Sequence, residues 1–263
     1  MKLGWLLAKP DISRRTWAVW RRNKDVFVKT IKVNFLPPIA EPILYLAAIG
    51  FGLGLFVEDI NGVPYAEFIA PALVAITIMT ASFFECTYAS FVRMYYQKTF
   101  DAIVATPLNV DEVIAGEILW GATRSAISAT IVLAVVSVFG LVQSVLALLI
   151  IPLSFLGGLL FASIAMCFTA VTPKIDNLNY PTSLFITPMF LVSGTFFPLS
   201  ALPSGVQIFA NAAVPLVHVV DLTRAFTYGD LEWNLLLNLL WIVVVTAVFF
   251  VLSLNLMKRR LIV

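Results

Sequence analysis

The sequence predicts an all-α integral membrane protein of six transmembrane helices with both termini in the cytoplasm. Three observations carry this. The 263-residue chain is 60% hydrophobic and 12% charged, whereas a soluble domain carries about 25% charged residues. Six apolar runs reach or approach the roughly 20 residues that a helix needs to cross a hydrocarbon core. Basic residues gather at the two chain ends: Lys2, Lys9, Arg14, Arg15, Arg21, Arg22, Lys24, Lys29 and Lys32 at one, Lys258, Arg259 and Arg260 at the other. Positive charge marks the cytoplasmic side, so six crossings with both ends inside satisfy it.

Residues 1–33 are expected to form a cytoplasmic N-terminal segment, and 34–263 the six-helix domain. The opening "MKLGWLLAKPD" has too short an apolar core and no small-residue cleavage pattern for a signal peptide. Within 14–32, Trp17, Trp20, Phe27, Val28 and Ile31 share one arc of a helical wheel, and Arg14, Arg15, Arg21, Arg22 and Lys29 fill the next. That is the pattern of an interfacial helix with its basic face toward anionic head groups. It serves as a topology anchor or as a gate helix.

The spans follow at 38–57, 67–92, 117–141, 145–171, 181–199 and 234–256. The fifth is the weakest, because Pro188 and Gly194 interrupt it. Between spans two and three, Phe100, Ile103 and Val104 fall at i, i+3 and i+4, one helical face. Thr106-Pro107 should end this short helix, since the residue before Pro avoids the α region. Asn109 and Glu112 then form the two ends of a capping box that starts the next helix. The apolar face packs under its own bundle or docks a cytoplasmic partner. The segment after the fifth span, "SALPSGVQIFANAAVPLVHVV", is apolar for a loop. It predicts short helices tucked back into the outer leaflet, an outer-gate candidate, because irregular backbone at that depth must be buried in protein or line water.

Intramembrane charge is costly and marks candidate function. Glu41, Glu85 and Arg124 are the cases here, with Glu117 seven residues from Arg124 on the same helix face. Arg124 is the candidate partner of Glu85 or Glu117, in a structural ion pair or a translocation path. Phe196 and Phe197, at the outer end of the fifth run, join them as gate candidates. Cys86 and Cys167 lack metal-ligand spacing and read as core thiols; His218, the single histidine, reads as a packed or hydrogen-bonded residue. No phosphate-loop pattern G-x-x-x-x-G-K-[ST] and no nucleophile–base set occurs in the sequence. If transport is ATP-driven, the ATPase is another chain.

Nearly the whole chain resembles the membrane subunits of type-2 ABC exporters, in the branch that includes the permease of the rhizobial nodulation-factor exporter. The resemblance rests on "WAVWRRN", "EPILYLAAIGFGLG", "ASFFECTYASFVRMYYQKT", "VIAGEILWGATRS", "LFITPMFLVSGTFFPLSALP" and "PLVHVVDLTRA". It implies a pair of six-helix subunits, by default a homodimer, in the bacterial inner membrane. Each would bind a separate ATP-binding-cassette subunit that holds ATP and Mg; no cofactor is expected in this chain. It implies ATPase coupling through Gln97, Lys98, Phe100, Asp101, Ile103, Val104, Thr106 and Pro107, and through Lys174 and Asp176 in the 172–180 loop. The implied substrate is amphipathic, a lipo-oligosaccharide, glycolipid or polysaccharide, with no nucleic-acid partner. Drug efflux by the same fold, or an ion-coupled transporter or channel using Glu41, Glu85 and Arg124, are the alternatives.

Overall fold

The computed structural model describes residues 9–32, 36–57, 59–60 and 62–262. Lys2, which enters the charge argument above, lies outside them. Among the described residues the secondary structure is helical, with one isolated bridge between Ile60 and Val63. Helix α1 is Thr16–Lys29. Helix α2 starts as Pro37–Tyr45, continues π-wound over Leu46–Gly52 and closes with Leu53–Leu55. Helix α3 runs Tyr65–Phe84 and is prolonged by two π-wound stretches, Glu85–Ala89 and Val92–Tyr96. A short α4, Thr99–Val104, precedes α5, Val110–Val138. Helix α6, Ile150–Val171, is entered through the turn Val145–Leu149.

Among the described residues, five helices are long and apolar enough to cross a membrane: Pro38–Leu55, Tyr65–Tyr96, Val110–Val138, Val145–Val171 and Asn234–Ile262. They match the first four expected spans and the sixth. The fifth differs. Helix α7 consists of Asn179–Pro181, a π-wound Thr182–Ile186 and Thr187–Val192, and there it stops. Gly194 takes a left-handed φ of 73°, a conformation that glycine adopts without steric penalty. The chain therefore turns inside a run that composition alone extends to Leu199. Helices α8, Ser204–Ala213, and α9, Pro215–Tyr228, follow and meet at 89°. Helix α10 is Asn234–Ile262.

Contacts sort these elements onto two ends. At one end, Lys258 near the close of α10 pairs with Asp111 at the start of α5 (2.5 Å), and Arg260 donates to the carbonyl of Thr169 late in α6. At the opposite end, the Tyr65 hydroxyl donates to the carbonyl of Phe196 (3.1 Å), Tyr228 to that of Glu67 (3.1 Å), and the Gln143 N–H to Thr227 (3.1 Å). The start of α1 and the end of α10 thus share the basic end. The end of α9 lies at the opposite end, and α8 and α9 are bent sharply against each other. His218 of α9 stacks on Trp241 (4.1 Å) and shares a hydrogen bond with Asn238 (2.9 Å), a packed and bonded histidine.

The middle of the bundle is α3, α5 and α6. Gly158 lets α6 approach α5 so closely that a Cβ there would stand 2.7 Å from the Cβ of Ser125 and 2.9 Å from the Cα of Ala122. Ser125 Oγ reaches the carbonyls of Ile78 (2.9 Å) and Ser154 (3.1 Å), tying all three helices. Small residues serve close helix contacts in a medium where apolar burial gives no drive.

Candidate functional site

The basic end is organised around the start of α5. Asn109 Oδ1 accepts the Glu112 N–H (2.9 Å), and Glu112 Oε2 accepts the Asn109 N–H (2.9 Å), the capping box expected from the spacing. The box also holds the N-terminal segment. Asp11 N–H donates to Asp111 Oδ2 (2.8 Å), Ser13 Oγ donates to Glu112, Asn109 Nδ2 donates to the Asp11 carbonyl (3.0 Å), and Arg15 reaches the Pro107 carbonyl (2.5 Å). With the Lys258 pair, one clasp joins the segment before α1, the loop after α4, the start of α5 and the end of α10.

Helix α4 lies beside that clasp. Lys98 takes a left-handed φ of 54° and separates α4 from the tail of α3. The expected apolar face splits. Phe100 is fully buried in this chain and Ile103 packs partly against the core, whereas Val104 is 39% exposed. Phe100 is therefore an anchor of α4 on its own bundle, not a surface contact. The outward surface at this end is Gln97, Lys98, Asp101, Ala102, Val104, Ala105, Thr106 and Pro107, with Lys174 and Asp176 exposed on the neighbouring connection.

Helix α1 is bound along α5 rather than lying free. Its inward face is Thr16, Val19, Asn23 and Phe27, at i, i+3, i+7 and i+11. Val28 and Ile31, expected on the same arc as Phe27, are exposed, as are Trp17 and Arg21. Gly116 makes the fit possible: a Cβ there would stand 2.6 Å from Val19 Cβ and 2.9 Å from the Thr16 carbonyl. Trp20 stacks on Trp17 (4.0 Å) and donates to Thr123 Oγ1 (2.8 Å). Asn23 donates to Glu117 Oε1 (2.8 Å).

Glu117 is the buried centre, 0% exposed. Its second oxygen accepts from Ser90 Oγ (2.8 Å) and from Arg93 Nε (2.9 Å) and Nη2 (2.6 Å). Arg93 Nη1 pairs with Glu85 Oε1 (2.9 Å), which also accepts the Trp120 indole N–H (3.0 Å). Arg93 thus bridges Glu85 and Glu117. Sequence spacing favoured Arg124 because it shares a helix with Glu117; Arg93 reaches Glu117 only through the approach of α3 to α5. Arg124 lies over the Phe27 ring (4.7 Å).

Two cavities adjoin this cluster. One of about 750 Å³ lies between α1, the tail of α3 and α5, and includes Arg22, Phe27, Glu85, Tyr88, Arg93, Trp120 and Arg124 in its walls. Another of about 490 Å³ lies between α2, α3 and α5, with Glu41, Glu85 and Arg124. Both volumes are in the range of small-molecule sites. Phe84, Glu85 and Arg124 are common to both. Glu41, Glu85, Arg124 and Glu117 are thereby brought to one region. Phe196, tilted against Phe190 (5.1 Å), and the exposed Phe197 sit at the opposite end and take no part in it.

Residues 14–228 match the model of the ABC-2 type transporter family. The chain belongs to that family. It is 35% identical over 260 residues to Nodulation protein J of Rhizobium meliloti (strain 1021), covering 98% of this chain and 99% of the relative. It is 36% identical over 244 residues to Nodulation protein J of Rhizobium leguminosarum bv. viciae, covering 93% and 94%. It is 23% identical over 235 residues to Inner membrane transport permease YadH of Escherichia coli (strain K12), covering 89% and 86%. The chain is a multi-pass inner-membrane ABC-2 permease, the membrane subunit of a transporter whose family works with a separate ATPase subunit.

Proposed function

We propose that this permease exports an amphipathic lipo-oligosaccharide or related glycolipid, as one of two identical subunits, driven by ATP bound with Mg on the separate ATPase. The basic end faces the cytoplasm. The exposed surface of α4, with Asp101, Ala102 and Val104, docks the ATPase, and Lys174 and Asp176 form a secondary contact. Closure of the ATPase dimer pushes α4, and the anchored Phe100 passes that displacement to the bundle. Two rigid connections carry it on. The clasp at Asn109–Glu112 moves the segment before α1, and the tail of α3 moves Arg93. Both connections end at Glu117, through Asn23 on α1 and through Arg93 on α3. A shift of either repacks the walls of the cavity that Arg22, Glu85 and Arg124 line. ATP can move the equilibrium between inward- and outward-open forms only as far as it binds them differently, so a stiff junction is what the mechanism needs.

The observation that carries this reading is the convergence of α1 and the α3 tail on one buried carboxylate, one loop away from α4. The test uses inside-out vesicles containing the permease and its ATPase. Ala102→Arg and Val104→Asp, both on the exposed surface, should leave folding intact and abolish ATP-dependent transport and ATPase co-purification. Unchanged transport with both variants would remove α4 as the coupling element.

A further inference from the structure

The walls of the larger cavity carry Arg22, Arg93 and Arg124 against a single lining carboxylate, Glu85. Glu117, behind the wall, is wholly engaged by Asn23, Ser90 and Arg93. Arg93 is satisfied by both acids. Arg22 is different: its Nη1 is buried and has no hydrogen-bond partner among the described residues. A buried charged donor left unpaired is destabilising, and such groups in native structures call for an explanation. Arginine presents a planar fork of donors that matches phosphate and carboxylate oxygens, and it is more weakly hydrated than an ammonium.

The surroundings say what kind of molecule would bring the anion. Phe27, Tyr88 and Trp120 offer ring faces and edges beside the guanidiniums. Val26 and Phe84 also line the cavity and are exposed, 53% and 39%, so an apolar portion has a way out toward lipid. Arg22 sits on α1, the helix with Trp17 exposed and basic residues beside it, which places the anion-binding end at the head-group level of the basic end.

We propose that this cavity is the entry site for the head group of an anionic amphiphile, with Arg22 as the residue that binds its phosphate, sulfate or carboxylate. This rests on the exporter reading above and adds the substrate's charge to it. The neighbouring aromatic rings pack the group adjoining the anion, and the apolar tail leaves past Val26 and Phe84 into the bilayer.

The experiment uses the permease–ATPase complex in phosphatidylcholine nanodiscs and radiolabelled dodecyl phosphate, with dodecylphosphocholine, dodecyl maltoside and inorganic phosphate as competitors. Dodecyl phosphate should bind at least about tenfold more tightly than either uncharged or zwitterionic amphiphile, about 1.4 kcal/mol. Arg22→Gln should lose that preference while keeping the parent thermal midpoint, and Arg22→Lys should retain part of it. Lys29→Gln, on an exposed cation of the same helix outside the cavity, should change nothing. Inorganic phosphate should compete far more weakly than dodecyl phosphate, because it lacks the tail. Equal binding of the three amphiphiles, competition by inorganic phosphate as strong as by dodecyl phosphate, or an unaltered preference in Arg22→Gln would each overturn the proposal. Should Arg22→Gln fail to fold, the parent's preference among the probes decides alone. Loss of coupling in the α4 variants bears on the exporter reading without touching probe binding, so the two can fail separately.

Discussion

Replacing Arg93 by Met keeps the length of the side chain and removes its charge and donors. The change leaves Glu117, fully buried, with only Asn23 and Ser90, and takes from Glu85 its 2.9 Å ion pair. Removing one partner of a buried ion pair typically destabilises by about 3–5 kcal/mol, since the remaining charge keeps its desolvation penalty. The Arg93 side chain is 14% exposed, Glu85 12% and Glu117 0%, so most of the penalty falls on Glu117 and less on Glu85, which retains the Trp120 N–H and the cavity. The double variant Arg93→Met/Glu117→Gln removes the stranded charge and should recover at least half of the loss. Denaturant unfolding in lipid–detergent micelles, read as a double-mutant cycle, isolates the pairwise part. An Arg93→Met loss below about 1 kcal/mol, the size of an exposed ion pair, would refute the buried junction, as would a double variant less stable than the single one.

Phe100→Ala should destabilise by about 3–5 kcal/mol, as for other buried aromatic truncations, whereas Val104→Ala should stay within about 0.5 kcal/mol yet weaken ATPase co-purification; the reverse order in the unfolding assay would contradict the inward anchor. Asn109→Ala should cost about 1 kcal/mol of stability through loss of the cap and should raise protease accessibility around residues 11–15, which limited proteolysis with mass spectrometry can read. Gly116→Val should separate α1 from α5 at a cost of about 1–3 kcal/mol for overpacking, visible as a changed emission of the Trp17–Trp20 pair; unchanged emission and midpoint would mean that α1 does not pack there.

The parts of the fold that were legible in the sequence are those set by local chemistry. Five spans follow from apolar length, and the Asn109–Glu112 capping box follows from a three-residue spacing that has one physical use. The fifth span was overrun because apolar composition continues to Leu199, while the backbone turns at Gly194, a conformational choice that hydropathy does not register. The α4 face was visible as periodicity, but periodicity cannot say which side of a helix meets its own bundle, and Phe100 points inward. Arg93 and Asn23 were missed for a related reason. Each meets Glu117 across a helix contact of 24 and 94 residues in sequence, and no local pattern encodes that approach. The π winding of Glu85–Ala89 and Val92–Tyr96 adds to this, since it rotates the α3 tail away from the ordinary helical wheel; such windings are frequent at functional sites.

The central claim, that the outward surface of α4 is where the ATPase engages this permease, is tested most directly by site-specific photo-crosslinking. A photoreactive amino acid is placed at Ala102, exposed on α4, and separately at Leu148, 62% exposed at the opposite end, in cells co-expressing the ATPase subunit. The account predicts a crosslink to the ATPase from position 102, altered in yield by a non-hydrolysable ATP analogue, and none from position 148. Crosslinking to the ATPase from position 148, or its absence at 102 in a complex that still co-purifies, would contradict it.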